Sequence, residues 1–193
     1  MLFRSPDQVE RARELAAQRG QSAEVRFECA DYLHTPFPDA GFDVVWALES
    51  LCHAADKPAF YREAARLLRP GGRLVVAEYM RTRRNLGAAD ARLVDEWCAG
   101  WAMPDLDTDA EHVAAARAAG FGAVTCRDFT PSTRRSLLRL YCGSLIALPV
   151  NAIWHGLGLR CDVQYRNVIA SMRQYQALRR GLWQYRVLTA LRT

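Results

Sequence analysis

A mixed α/β fold with a parallel sheet is predicted by two apolar runs joined through a helix, and by where the ionisable residues fall around them. The first run is Phe42-Asp43-Val44-Val45-Trp46-Ala47-Leu48 and the second is Arg73-Leu74-Val75-Val76-Ala77-Glu78-Tyr79. Both are rich in β-branched residues and nearly continuous in their apolar character, as expected of strands covered on both faces. Residues 56–68 between them read as a helix. Asp56 caps it, Pro58 sits in its first turn, and Phe60, Ala64, Leu67 and Leu68 share one face before Pro70-Gly71-Gly72 stops it. Two strands joined this way must be parallel neighbours. Each run turns ionisable at its carboxyl end, with Glu49 and His53 after the first and Glu78 in the second. Upstream, Val25-Arg26-Phe27-Glu28-Cys29-Ala30 ends at Asp31. Open parallel sheets bind ligands beyond the carboxyl ends of their strands, so three successive strands are expected to aim a carboxylate at one rim.

The other elements follow in order. Ser5-Pro6-Asp7-Gln8 starts a helix, with Ser5 as cap, proline in the first position and Gln8 placed for a capping box. Val9, Ala12, Leu15 and Ala16 form its apolar face and Gly20 ends it. Beyond the polar residues 80–85, helices are expected near 88–99 and 109–119, joined through Trp101-Ala102-Met103-Pro104. Residues 122–129 and 183–191 read as strands. Residues 140–159 are long and apolar enough to raise a membrane span, but Pro149, Asn151, His155 and several glycines argue against one. A buried or lid helix plus a loop is expected there, and a contact with lipid or a lipophilic acceptor stays open.

With 193 residues, the chain is expected to be a single domain, residues 1–193, with a sizeable core. Six cysteines, without CxxC pairing or metal-ligand rhythm, fit reduced thiols in the cytoplasm. His34, His112 and His155 show no metal spacing, so no metal is expected. The net charge of +5 is uneven: from Phe121 onward only Asp128 and Asp162 oppose a long series of arginines. That is either a solvated face or a surface attracting an anionic substrate or a membrane. No nucleic-acid-binding motif accompanies it, so nucleic acid is not an expected partner.

Cys29-Ala30-Asp31-Tyr32, Thr35-Pro36-Phe37-Pro38-Asp39-Ala40-Gly41-Phe42-Asp43-Val44-Val45, Leu48-Glu49-Ser50-Leu51-Cys52-His53 and Glu63-Ala64-Ala65-Arg66-Leu67-Leu68-Arg69-Pro70-Gly71-Gly72 together resemble the middle of a class I S-adenosylmethionine-dependent methyltransferase. The closest branch is the small-molecule one that includes tocopherol, sterol and sugar O-methyltransferases. The resemblance covers most of residues 5–130, and Gly181-Leu182-Trp183-Gln184-Tyr185 also fits. It implies a Rossmann-like methyltransferase sheet in the order 3-2-1-4-5-7-6 with helices on both faces. The family's first strand, its glycine-rich turn and helix, and its second strand have no counterpart here. An N-terminally truncated domain is therefore expected, with strands 1 and 2 missing and a gap in the sheet. Leu2-Phe3-Arg4-Ser5 also matches what a common sequencing-adapter end encodes in one frame, so whether residues 1–5 are native stays open.

The resemblance further implies S-adenosylmethionine as cofactor and a small-molecule acceptor, with residues 80–119 and 131–180 as acceptor-site cap or lid insertions. By the same resemblance Asp31 takes the adenine amine, with the Tyr32 backbone alongside, against the alternative of a helix or turn cap. Leu48 and Glu49 pass the methionine end, or Glu49 makes only a structural salt bridge. His53 is the general-base candidate, because histidine titrates near neutral pH, against the alternative of a hydrogen-bonded surface residue. Glu78 is its acidic partner, or orients the acceptor, or pairs with an arginine in residues 81–84. Cys52 and Glu78 stand where similar sugar O-methyltransferases have His and Asp. Cys52 as a nucleophile is not expected, since methyl transfer requires none. Trp97, Trp101 and Met103 are acceptor-pocket candidates, or ordinary core residues. The functional expectation is methyl transfer to a lipophilic, aromatic or glycoside acceptor at oxygen, carbon or nitrogen. The competing one is a non-catalytic methyltransferase-like partner or an inactive fragment.

Overall fold

The computed structural model describes residues 2–3 and 6–193. Ser5, expected to cap the first helix, lies outside the described residues. A two-residue strand β1 (Leu2–Phe3) precedes helix α1 (Pro6–Gln18) and strand β2 (Glu28–Cys29). β1 and β2 pair in parallel, Leu2 with Glu28 and Phe3 with Cys29. A short strand therefore stands upstream of α1, where none was expected. α1 buries Val9 and Ala16, leaves Leu15 exposed against expectation, and ends where Gly20 takes φ +67°. Of residues 25–30 only Glu28 and Cys29 are strand, because the neighbour across the ladder is two residues long.

The main sheet holds β3 (Phe42–Leu48), β4 (Leu68–Arg81), β5 (Phe121–Asp128) and β6 (Trp183–Arg192) in the order β3-β4-β6-β5. β3 and β4 are parallel, and β6 runs antiparallel to both β4 and β5. This is the 4-5-7-6 half of the expected order. Among the described residues no strand pairs the outer edge of β3.

Helix α2 (Lys57–Leu67) joins β3 to β4. The Asp56 side chain accepts from Ala59 N at 2.9 Å and caps it. β4 begins at Leu68 rather than Arg73. Phe42 pairs with Leu68 and Val44 with Arg73, so residues 69–72 bulge out opposite Asp43, which pairs with Arg69. Gly71 has φ +77°, and a Cβ on Gly72 would stand 2.8 Å from the Arg69 carbonyl. The two glycines therefore form the bulge as well as ending the helix.

Helices α3 (Ala88–Gly100), α4 (Asp109–Ala118), α5 (Thr130–Gly156) and α6 (Asp162–Arg179) complete the chain. The alternation of β4 and β6 sorts the core into two layers. Leu74, Val76, Met80, Leu188 and Ala190 pack with α2 and α4. Ala77, Tyr79, Trp183 and Tyr185 pack with α3 and α6. The second layer stops short of β3. Val45 and Ala47 are covered by the α2 layer, while Val44, Trp46 and Leu48 face outward uncovered, Trp46 at 69% exposure. The expectation of a strand buried on both faces fails for β3 for that reason.

Residues 140–159 form a helix and a following turn, as expected, but of the two alternatives the helix is not the buried one. α5 runs unbroken through Pro149 for 27 residues and exposes a stripe at helical spacing that includes Ile146 (80%) and Ile153 (61%). By length and composition alone it is long and apolar enough to cross a membrane.

Candidate functional site at the strand ends

The rim beyond β2, β3 and β4 is assembled by side chains reaching from one strand end to the next. Asp31 follows β2, and one of its oxygens accepts from Leu33 N at 3.0 Å, which closes a turn. The next residue crosses to β3, where the Tyr32 hydroxyl donates to the Ser50 carbonyl at 3.0 Å and its ring packs edge-on against Phe60. Glu63 anchors the following segment to α2. It accepts from the Thr35 amide and hydroxyl at 2.9 and 2.6 Å, and Arg66 ties it to the Phe37 carbonyl and Asp39. The Arg66 guanidinium and the Thr35 donors hold the Glu63 carboxyl down at about 2 against the opposing effect of burial.

β3 ends at Leu48, opposite Ala77, and its side chain is exposed. Glu49 adopts φ +47°, a left-handed conformation that is costly for a residue with a Cβ and that concentrates at functional sites. That backbone turns the carboxylate toward two phenols: the Tyr79 hydroxyl donates to one oxygen and the Tyr185 hydroxyl to the other, the latter at 2.9 Å. Glu49 thus bridges β3, β4 and β6. Among the described residues it forms no ion pair, so the salt-bridge alternative is not what the geometry contains.

The chain then turns through a short 3-10 segment, Leu51–His53. Its Cys52 amide donates to Glu78 at 2.9 Å, and the Tyr79 amide donates to the other Glu78 oxygen at 2.9 Å. Glu78 is 1% exposed, and burial pushes its carboxyl up to about 7 despite the two amides. Among the described residues it pairs with no arginine: Arg81 goes to Asp105 at 2.6 Å, and Arg84 to Asp105, Asp107 and Glu111. Burial and the neighbouring Glu78 raise the Cys52 thiol far above neutrality, which leaves no thiolate for nucleophilic work. His53 is exposed, and its Nδ1 stands 3.4 Å from the Ala102 carbonyl in the loop between α3 and α4.

The expected acceptor residues cluster around Tyr79. Its ring lies 5.5 Å from Trp97, 6.2 Å from Trp101, 5.3 Å from Trp183 and 5.6 Å from Tyr185. Trp97 and Met103 are buried in that core, whereas Trp101 is half-buried and donates from its indole to Asn167 on α6 at 2.9 Å. Tyr79 and Tyr185 were not singled out as site residues from the sequence. The available signal was only an aromatic closing an apolar run and a second in a late strand. Two surface hollows, of about 430 Å³ between α1 and β2 and about 460 Å³ where α5, α6 and β6 meet, are not lined by Asp31, Glu49, His53 or Glu78.

Residues 4–76 match the family model described as a methyltransferase domain. A 27-O-demethylrifamycin SV methyltransferase of Amycolatopsis mediterranei is 43% identical over 134 residues, which are 68% of this chain and 48% of that protein. A tocopherol O-methyltransferase of Arabidopsis thaliana is 32% identical over 65% of this chain and 38% of its own length. The chain thus spans about half or less of the length of these curated relatives. Among solved structures, the [4+2]-cyclase SpnF aligns with 99% of this chain and 64% of its own, with a TM-score of 0.75 and 28% identity. A sarcosine dimethylglycine methyltransferase from Galdieria sulphuraria, described as putative, has the same fold at a TM-score of 0.80 and 15% identity, over 100% of this chain and 68% of its own. The chain is thus similar to the class I S-adenosylmethionine-dependent methyltransferases, through the family match over residues 4–76 and through the shared fold.

Proposed function

We propose that the protein transfers the methyl group of S-adenosylmethionine to a small lipophilic, aromatic or glycoside acceptor. The observation that carries this reading is the shared rim. Tyr32–Ser50, Tyr79–Glu49 and Cys52–Glu78 bonds bring the ends of β2, β3 and β4 together, which supports a single rim carrying Asp31 and Glu49, with Glu78 buried beneath it. The donor set suits the cofactor, since a carboxylate at Asp31 accepts from an adenine amine and Glu49 offers negative charge to a positive sulfur. When bound, S-adenosylmethionine supplies an already activated methyl, so the protein's task is to align the acceptor and take its proton. Asp31 and Tyr32 hold the adenine end, and Leu48 and Glu49 the methionine end. His53, exposed at the rim, accepts the acceptor's proton. Glu78 acts through the backbone, clamping the turn that carries His53 against β4. Trp101 is the acceptor-wall residue nearest solvent, backed by Trp97 and Met103, with residues 80–119 and 131–180 as the cap.

The relatives act on a rifamycin precursor and on tocopherol, which supports an apolar acceptor with a hydroxyl. The exposed stripe of α5 suits a lipid surface or a lipophilic acceptor, in a protein working in the cytoplasm. Calorimetry with S-adenosylmethionine, followed by transfer of labelled methyl to a panel of polyketide, prenylphenol and sterol acceptors, tests the reading. Absence of cofactor binding refutes it. A second reading is a methyltransferase-like protein that does not methylate, favoured by the likeness to a cyclase. Cofactor binding with no transfer to any acceptor would select it.

A further inference from the structure

We infer that the outer face of α5, with the turn that follows it, docks flat on an anionic membrane surface. Of the two occupants that its apolar stripe suits, charge and shape select the lipid surface, and the docking is independent of methyl transfer.

Helical spacing divides α5 into two faces. Leu137, Ser144 and Asn151, seven residues apart, are buried on the inner one. Asn151 fastens that face: its amide donates to the Tyr165 carbonyl on α6 at 3.3 Å, and its Oδ1 accepts from Arg160 at 2.8 Å. The opposite face carries Ile146, Val150 and Ile153, all exposed, with Leu157 and Leu159 exposed in the turn beyond. A helix fastened on one face and apolar on the other lies along a membrane interface rather than across it.

The charge around this stripe has one sign. Residues 130–180 hold eight arginines and a single acid, Asp162, which His155 engages at 2.7 Å. Among the described residues only Arg173 and Arg180 of the eight meet a carboxylate, those of Glu96 and Asp90 on α3. Arg135 and Arg139 are exposed and continue the outer face toward the start of α5. Past its other end, the Arg160 guanidinium lies over the exposed Trp154 ring, 5.3 Å from the centroid. Such a pair suits the headgroup layer, where the ring meets the acyl boundary and the guanidinium meets phosphate. A second copy of the same face would set like charges against each other. A small lipophilic ligand needs a concavity, and neither surface hollow is lined by the stripe. Anionic headgroups over acyl chains match both the arginines and the apolar area.

The test is co-sedimentation of the purified protein with vesicles of phosphatidylcholine alone and of an equal mixture of phosphatidylcholine and phosphatidylglycerol. The mixed vesicles should bind at least about tenfold more tightly, since each arginine at an anionic surface contributes about fivefold. Ile153→Ser should weaken that binding about tenfold, the effect of one aliphatic side chain left out of the bilayer. Arg135→Gln combined with Arg139→Gln should weaken it by a similar factor and flatten its salt dependence. All three positions are exposed, and circular dichroism checks that the variants fold. Brominated lipid should quench the tryptophan emission, and Trp154→Phe should lose most of that quenching. Absence of binding to the mixed vesicles, equal binding to both compositions, or an affinity unchanged in both the isoleucine and the arginine variants overturns the inference. Self-association abolished by Ile153→Ser, without vesicle binding, overturns it in favour of a second copy. None of these outcomes bears on cofactor binding, which calorimetry with S-adenosylmethionine reads separately.

Discussion

Two buried titratable groups pull the stability of this protein in opposite directions, and removing one should expose the other. Burial raises the Glu78 carboxyl from its ordinary 4.5 to about 7. Between those values the unfolded chain has lost a proton that the folded one still holds, so stability falls as pH rises, by about 3 kcal/mol in all. His112 is 1% exposed, its Nδ1 is 2.9 Å from the Tyr61 hydroxyl, and burial lowers it from 6.5 to about 4. Between those values the unfolded chain binds a proton that the folded one excludes, so stability rises with pH, again by about 3 kcal/mol. From pH 4.5 to 6.5 the two nearly cancel, and the wild type should show a flat profile there followed by a decline toward pH 7. Glu78→Gln removes the falling limb. It also leaves one of the Cys52 and Tyr79 amides poorly paired, at about 1–3 kcal/mol. The variant should therefore be less stable than wild type at pH 4.5 and about equal to it at pH 8. Urea midpoints measured at half-unit intervals from pH 4.5 to 8 read both effects. His112→Gln should give the mirror result, a steady fall from pH 4.5 to 7. A Glu78→Gln profile parallel to wild type would show that Glu78 does not hold its proton in the folded state.

Three further outcomes are expected. His53→Ala should lower turnover about 10²–10⁴-fold at saturating acceptor, the usual contribution of a general base, and unchanged turnover removes it from the chemistry. Gly72→Ala should cost about 1–3 kcal/mol in urea unfolding, since its Cβ would meet the Arg69 carbonyl at 2.8 Å in a bulge that cannot widen without breaking the Phe42–Leu68 pairing. Thr108→Ala removes half of the capping box at the start of α4, where Thr108 and Glu111 bond reciprocally, and should cost about 1 kcal/mol of thermal stability.

Much of the architecture was legible in the sequence because local chemistry and fold agree. Asp56 caps α2 as its position suggests, the strand from Phe42 to Leu48 has the expected bounds, and the runs flanking α2 are parallel. What was illegible depends on partners far along the chain. Val44, Trp46 and Leu48 read as buried because they lie in a continuous apolar run, yet burial requires a covering element, and α3 and α6 sit over β4 and β6 instead. Likewise the apolar run in α5 leaves a buried helix and a lid helix as alternatives from composition, whereas the helix shows much of that surface to solvent. Period and hydropathy report what a segment can bury, not what arrives to bury it.

The same distinction explains the rim. Glu49 and Glu78 could be found by position, since carboxyl ends of parallel strands meet at one edge. Their functions diverge for reasons no local pattern contains. Glu78 and Tyr79 are adjacent, yet the former points at backbone amides under the turn and the latter at Glu49 across it. Tyr185 lies 136 positions from its Glu49 partner and arrives only because β6 runs antiparallel to β4, in a register that sets Tyr185 opposite Tyr79. Were β6 parallel to β4, its first residues would stand at the other end of the sheet and Glu49 would lose one of its two donors. The antiparallel strand therefore does more than extend the sheet: it brings a hydroxyl from a distant part of the chain to a carboxylate that bridges three strands.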